Sequence, residues 1–309
     1  MEIKKYDSTQ KTVWDDFIPK SKNGVFLFYR EYLDYHKERF TDHSLIILKK
    51  NKVIALFPAN ENENKIFSHG GLTFGSLIMG HDTRAVEVLD IFLKIKEYYK
   101  KLNFTDIIYK VVPSIFHKYP SEEDLYALFR MDAKLIRRDI SSVIKINNKI
   151  RFSESKRQAV AKCMKNEIVF SENNDFGEYW DLLTNVLAKF GIKPVHTLEE
   201  INNLKKSFPD KIKLFEARKD NVLLAGIVIY DFDNVVHTQY MANSQEGRKI
   251  GALDFINNCL INEVYSDREF YSFGISTSDQ GRSLNEGLIQ QKEMMGSRGV
   301  AIDFYNISL

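Results

Sequence analysis

The chain has 309 residues, 44% of them hydrophobic and 28% charged, enough for one large domain or two of ordinary size. Its 44 basic residues stand against 42 acidic ones, a net charge of +2. That balance excludes the broad basic surplus of a protein built to coat nucleic acid, and no nucleic-acid partner is expected.

In chain order, the N-terminus MEIKKYDSTQ lacks the apolar run of a secretory signal. Tyr29, Leu33, His36 and Phe40 in FLFYREYLDYHKERF share one helical face and predict a helix over 26–40. SLIILKK and KVIALFPAN form a hairpin across Lys50-Asn51. KIFSHGGLTFGSLIMG reads as two short strands around a glycine loop. A helix from about Thr83 follows, with Val88, Ile91, Phe92, Ile95, Tyr99 and Leu102 in one apolar stripe. The strand FTDIIYKVVP closes this unit. KIKLFEARK and VLLAGIVIYDF repeat the hairpin across Asp220-Asn221, and NVVHTQYMANS adds a third strand. SQEGRKIG reads as a glycine-bearing loop that opens a helix. EFYSFGIS is a strand, a helix from about Ser283 turns Leu284, Leu288 and Met295 to a core, and VAIDFYNI ends the chain. The recurrence predicts two related α/β halves, 1–150 and 151–309. The longest apolar run, Val222–Tyr230, is about half of the ~20 residues that span a bilayer, so no membrane insertion is expected. Two cysteines, Cys163 and Cys259, show no metal or disulfide spacing, which suits a cytoplasmic location.

Several stretches carry chemistry-bearing residues. The run 145–166 holds Arg151 and Arg157 among seven basic residues against one acid, either a solvated helix face or a phosphate clamp. His69 beside Gly70 and Gly71 is either a proton-transfer group or a structural residue in a turn. His237 alternates onto the face of Val235, Gln239 and Met241, as a satisfied core group or a base. The glycines of SQEGRKIGALDF would leave backbone N–H groups pointing at a pyrophosphate. In FGISTSDQGRSLNEGLIQQKEMMGS, the polar groups Asn285, Glu286 and Lys292 close to a glycine loop suggest the wall of a binding site. No P-loop, dinucleotide fingerprint, nucleophile elbow or HExxH motif occurs, and no metal is expected.

On FLFYREYLDYHKERFTDHSLIIL, PANENENKIFSHGGLTFGSLI and FGISTSDQGRSLNEGLIQQKEMMGSRG with the final DFYNI, the chain resembles the tandem-GNAT proteins related to the FemAB-like acyltransferases. It is most similar to the nucleotide-sugar N-acyltransferases of surface-polysaccharide pathways. The resemblance covers nearly the whole chain. It implies an α/β (α+β) fold of two GNAT-like domains in tandem, each a mixed, mostly antiparallel sheet flanked by helices. It further implies transfer of an acyl group, such as 3-hydroxybutanoyl, from acyl-coenzyme A to the amine of a dTDP-linked 3-amino-3,6-dideoxyhexose, without an acyl-enzyme.

By the same resemblance, Met241, Asn243, Gly247, Arg248, Lys249, Gly251 and Ala252 would hold coenzyme A. An oxyanion-binding N–H would lie around Tyr240–Asn243. His69, His237 or a tyrosine (Tyr240 or Tyr305) would move the proton, with water as the alternative base, and Arg30, His36, Arg151, Arg157, Asn285, Glu286 and Lys292 would meet the amino-sugar substrate. The sequence departs from the family's coenzyme A loop at Leu253, where a small residue belongs; Ala252 sits one place early. Two alternatives stay open: aminoacyl-tRNA-dependent transfer to a peptidoglycan precursor, and a non-enzymatic binding protein on the same fold. The absence of a heptad-bearing arm favours coenzyme A over tRNA. Acyl chain, sugar epimer and oligomeric state are left open.

Overall fold

The computed structural model describes residues 1–309. The residues group into two compact units, Met1–Asp139 with Asp279–Arg282 and Ala301–Leu309, and Ile140–Ser278 with Ser283–Val300. This grouping departs from a simple division at 150, because the end of the last strand pairs with a strand of the first unit.

The first unit contains β1 (Glu2–Lys5), α1 (Lys11–Phe17), α2 (Arg30–Leu33), β2 (Thr41–Asp42), β3 (Leu45–Lys49), β4 (Lys52–Phe57), β5 (Asn60–Asn62), β6 (Lys65–Phe67), β7 (Ile78–Met79), α3 (Ala85–Lys101), β8 (Asp106–Lys110), α4 (Glu123–Arg130) and the start of β9 (Lys134–Lys145). Lys50 and Asn51 both take positive φ, 50° and 61°, the geometry of a tight hairpin turn whose twist matches the strands. β1, β3, β4 and β7 form one antiparallel sheet. β2, β5, β6 and β8 pair beside it in sequence order, with β6 and β8 parallel. The stripe of α3 buries Val88, Ile91, Phe92, Ile95 and Tyr99 as expected, while Leu102 lies past the helix end and is 46% exposed.

One expectation fails here. The segment 26–40 is not one helix: α2 is a single short turn between 3-10 turns at Phe26–Phe28 and Lys37–Arg39, and Tyr29 is extended. The cause is Arg30. Its N–H donates to Asp15 Oδ1 at 2.8 Å, and its guanidinium joins Asp34 and Asp42 and lies 3.9 Å from the Tyr6 ring centre. Tertiary ion pairs thus override a helical spacing. The strands around the His69 glycine loop do not pair with each other; β6 joins β5 and β8, and β7 joins β4.

The second unit contains the rest of β9, α5 (Glu154–Lys165), β10 (Val169–Asn173), α6 (Gly177–Ala188), α7 (Leu198–Ser207), β11 (Ile212–Lys219), β12 (Val222–Asp231), β13 (Val235–Asn243), α8 (Gln245–Ile250), α9 (Ala252–Cys259), β14 (Phe270–Ile275), β15 (Thr277–Ser278), β16 (Ser283–Leu284), α10 (Glu286–Glu293) and the start of β17 (Arg298–Ser308). Its sheet runs β10-β11-β12-β13-β14-β9, antiparallel except for the parallel pair β13–β14. One core packs Val160 and Cys163 of α5 and Phe255 and Ile256 of α9 against Ile227, Ile229 and Val236 of the sheet. Each unit therefore carries one parallel crossover, β6–α3–β8 and β13–α8–α9–β14, on an otherwise antiparallel frame. No helix is long and apolar enough to cross a membrane.

Candidate active site

The parallel pairing of β13 with β14 lasts for three residues only, Val235↔Phe270, Val236↔Tyr271 and His237↔Ser272. Beyond them β13 continues to Asn243 and β14 to Ile275, so the strands part into a fork. Two irregularities accompany the parting. The register of β13 on β12 skips Gln239, which is a bulge, and the pairing of β14 with β9 is interrupted between Ser272 and Ile275. At that interruption Gly274 has φ 72°, which calls for glycine, and a Cβ there would press on His237 Cε1 at 3.2 Å. Past His237, the N–H groups that β13 turns toward the fork have no strand partner.

His237 sits at the apex. Its Nδ1 lies 3.1 Å from Ser272 Oγ, which is 3.4 Å from Ser141 Oγ, and no protein group bonds Nε2. Burial, with the nearby Lys292 charge, brings its pKa down to about 4, so the ring is neutral at pH 7. Lys292, on α10, is 3% exposed and donates to the carbonyls of Gly274 at 3.0 Å and Ile275 at 2.8 Å. Burial lowers its pKa to about 8. The lysine expected to touch substrate instead holds one arm of the fork.

α10 begins at Glu286 rather than Ser283, with Asn285 as its N-cap accepting from Leu288 N–H at 3.0 Å. That start changes which face is inward. Ile289, Lys292 and Met295 are buried, whereas Leu284 and Leu288 are 50% and 36% exposed, contrary to the expected core face. Asn285 serves its own helix, and Glu286 is exposed.

The bulge at Gln239 also corrects the assignment of side chains on β13. Val236 and Met241 pack against the same core although strict alternation puts them on opposite faces. Tyr240 lies edge-on to Trp180, and its hydroxyl is 2.6 Å from His196 Nδ1 and accepts from His196 N–H at 3.3 Å. Burial raises the phenol to about 12, so it is a poor base with an occupied hydroxyl. His196 was not singled out from the sequence; its only local signal is the capping box Thr197–Glu200 that follows it.

The segment expected to cradle a pyrophosphate is not a loop. It folds as α8, with Ser244 Oγ accepting from Gly247 N–H at 2.9 Å, Arg248 N–H donating to Ser244 O, and Gly251 N–H donating to Gly247 O. Its glycines serve packing. A Cβ on Gly247 would fall 2.3 Å from Leu224 O and from Asn243 Oδ1, and one on Gly251 (φ 85°) 2.5 Å from Ala159 Cβ. The N–H groups of Gly247, Arg248 and Gly251 are therefore engaged within the helix. Ala252 is buried, and Arg248 and Lys249 present exposed side chains.

In the first unit, His69 has φ 59° and is 5% exposed, with its Nδ1 buried and unbonded. Its pKa falls to about 3, chiefly through burial and then the nearby His36, Lys110 and Arg30. His36 is 5.5 Å away between ring centres and is itself buried. Lys110 Nζ fastens this loop by donating to the carbonyls of His69, Gly70 and Leu72 at 3.2, 3.0 and 2.7 Å. His69 is thus enclosed in a braced loop, and Arg30 is held by its carboxylates; neither is open to a substrate. Arg151 and Arg157 line one groove of the second unit together. No group of three or more His, Cys, Asp or Glu side chains converges where a metal ion could sit.

No protein-family model matches the chain, and no curated protein matches its sequence. Solved structures do match. The crystal structure of FemX superposes with a TM-score of 0.70 at 12% identity, covering 98% of this chain and 97% of that one. The C-terminal domain of a putative lysylphosphatidylglycerol synthetase from Agrobacterium fabrum gives 0.62 at 9% identity, over 97% and 92%. A tandem GNAT protein from the clavulanic acid biosynthesis pathway gives 0.53 at 8% identity, over 99% and 98%. The fold is a tandem-GNAT-like α/β fold.

Proposed function

We propose that this chain is an acyltransferase that moves an acyl group from an activated carboxyl donor onto an amine, with the β13/β14 fork as its reaction centre. The observation that carries the reading is the neutral His237 at the apex, with Nδ1 fixed by Ser272 and Nε2 unbonded, beside N–H groups of β13 that have no strand partner. As the amine attacks the carbonyl carbon, Nε2 accepts its proton. A β13 N–H donates to the oxygen as it becomes an oxyanion, and such donors are worth about 3 kcal/mol of barrier. Collapse of the tetrahedral species breaks the bond to the leaving group, which takes the proton back from the imidazole. The low basicity of His237 speeds that return.

In its finer form, which rests on the sequence resemblance, the donor is acyl-coenzyme A and the acceptor a nucleotide-linked amino sugar such as a dTDP-3-amino-3,6-dideoxyhexose. The engaged N–H groups of Gly247, Arg248 and Gly251 favour a second reading, in which an aminoacyl ester supplies the carboxyl group. The folds shared with FemX and with the lysylphosphatidylglycerol synthetase domain suit that reading equally. The test offers acyl-coenzyme A with a panel of dTDP- and UDP-amino sugars, following thiol release, and aminoacyl-tRNA in parallel. His237→Gln should slow whichever reaction is found by about 10²–10⁴-fold. Turnover unaffected by that change removes the fork from the chemistry; no turnover on either arm refutes the reading.

A further inference from the structure

Between the segment 149–152 and helices α5 and α9, wholly within the second unit, runs a groove of about 470 Å³ that shares no residue with the β13/β14 fork. Its volume lies in the range of small-molecule sites. Ile150, Phe152, Val160, Ala161 and Met164 supply an apolar lining, and Ile150 and Met164 remain 47% and 56% exposed. Lys149, Arg151 and Arg157 also line it, and no carboxylate does.

The polar groups along the groove are incompletely matched. Lys149 Nζ donates to Asn262 Oδ1 at 2.5 Å, Arg157 pairs with Glu154 through one terminal nitrogen, and Arg151 makes neither an ion pair nor a hydrogen bond. Arg157 Nε is buried without an acceptor, a cost that a nearby anion would relieve. The wall is firmly built: Ser153 N–H donates to Met294 O at 2.8 Å, and Gly296, with φ 84°, leaves room for Ile150 O.

An apolar lining under a one-signed rim selects a molecule with an apolar body and an anionic head. With a single aromatic side chain against four aliphatic or thioether ones, the lining suits a flexible chain better than a stacked base. We infer that this groove binds a single-chain alkyl phosphate, its chain on Phe152, Val160 and Met164 and its phosphate between Arg151 and Arg157. The two arginines supply fork-shaped donors matched to phosphate oxygens, and the Asn258 amide offers a further donor at the margin.

The test is calorimetric titration of the full chain with decyl phosphate kept below its aggregation concentration, beside decanol, inorganic phosphate, thymidine 5′-phosphate and anionic phosphatidylglycerol vesicles. One decyl phosphate per chain should bind, roughly 10-fold or more tighter than decanol or phosphate alone, and weaken as salt rises. Arg151→Glu with Arg157→Glu should remove that advantage. Ala161→Trp, at an exposed helix position, should fill the groove and abolish binding while the melting temperature stays within a few degrees of the parent. Decyl phosphate binding no tighter than decanol, or unaffected by both variants, overturns the inference. Thymidine phosphate binding as tightly as decyl phosphate, or binding to vesicles alone, overturns the alkyl-phosphate class. The readout is independent of turnover, so a failure here leaves the fork reading standing, and the reverse.

Discussion

Replacing Lys292 by methionine keeps the length of the side chain and removes the ammonium. In the parent, that ammonium is almost fully buried and its donors meet the carbonyls of Gly274 and Ile275. Losing two buried acceptors' partners costs about 1–3 kcal/mol each. Against this, burial drops the lysine pKa from 10.5 to about 8, a penalty on the charged form of about 3 kcal/mol that the methionine does not carry. The two effects nearly offset at pH 7, so the variant should lie within about 2 kcal/mol of the parent. The pH dependence is sharper. Below about pH 8 both folded and unfolded chains hold the proton; between about 8 and 10.5 the unfolded chain holds it and the folded chain does not. Stability contributed by this residue therefore rises with pH across that window. Urea unfolding of both proteins from pH 7 to 10.5 should show the parent gaining about 3 kcal/mol on Lys292→Met. A difference that stays flat, or that favours the variant as pH rises, refutes the account of Lys292 as a buried ammonium holding the fork.

Gly251→Val should destabilise by more than about 2 kcal/mol in urea melts, because left-handed φ is joined by a clash with Ala159. Gly191→Asn, also at positive φ but with nothing within 4 Å, should cost less than about 1 kcal/mol. Tyr240→Phe loses the hydroxyl that bonds His196 and should lower stability by about 1–3 kcal/mol, while any acyl-transfer rate changes less than 10-fold; a 10³-fold loss would restore Tyr240 as a catalytic group. Both thiols are buried, with pKa values raised to about 11, so a thiol reagent at pH 8 should label neither Cys163 nor Cys259 in the native chain and both in denaturant.

The elements legible in the sequence are those whose cause is local. Lys50-Asn51 and Asp220-Asn221 mark hairpins because Asn and Asp tolerate positive φ, and all four residues adopt it. The stripe of α3 was readable because five apolar side chains at helical spacing have only one way to be buried together. The FLFYREYLDYHKERF face had equally good spacing and failed, since the partners of Arg30 lie as far off as Asp15 and Asp42. SQEGRKIG failed similarly: its glycines suggested an open loop, but what requires them is the approach of Leu224 and Ala159 from other elements.

Local chemistry was enough to read the two hairpins, the apolar stripe of α3 and the tandem α/β plan, because propensity, turn chemistry and periodicity act within a few residues. His237, Gly274 and Lys292 were visible as chemical types, but not as one site. That β13 and β14 pair for three residues and then part, that Gln239 bulges, and that the Lys292 ammonium closes on Gly274 and Ile275 follow from long-range packing alone. The physical reason is that strand register and the burial of a charge depend on partners distant in the chain. His237 and Ser272 are 35 residues apart, and no local pattern fixes which of two strands a given N–H will meet.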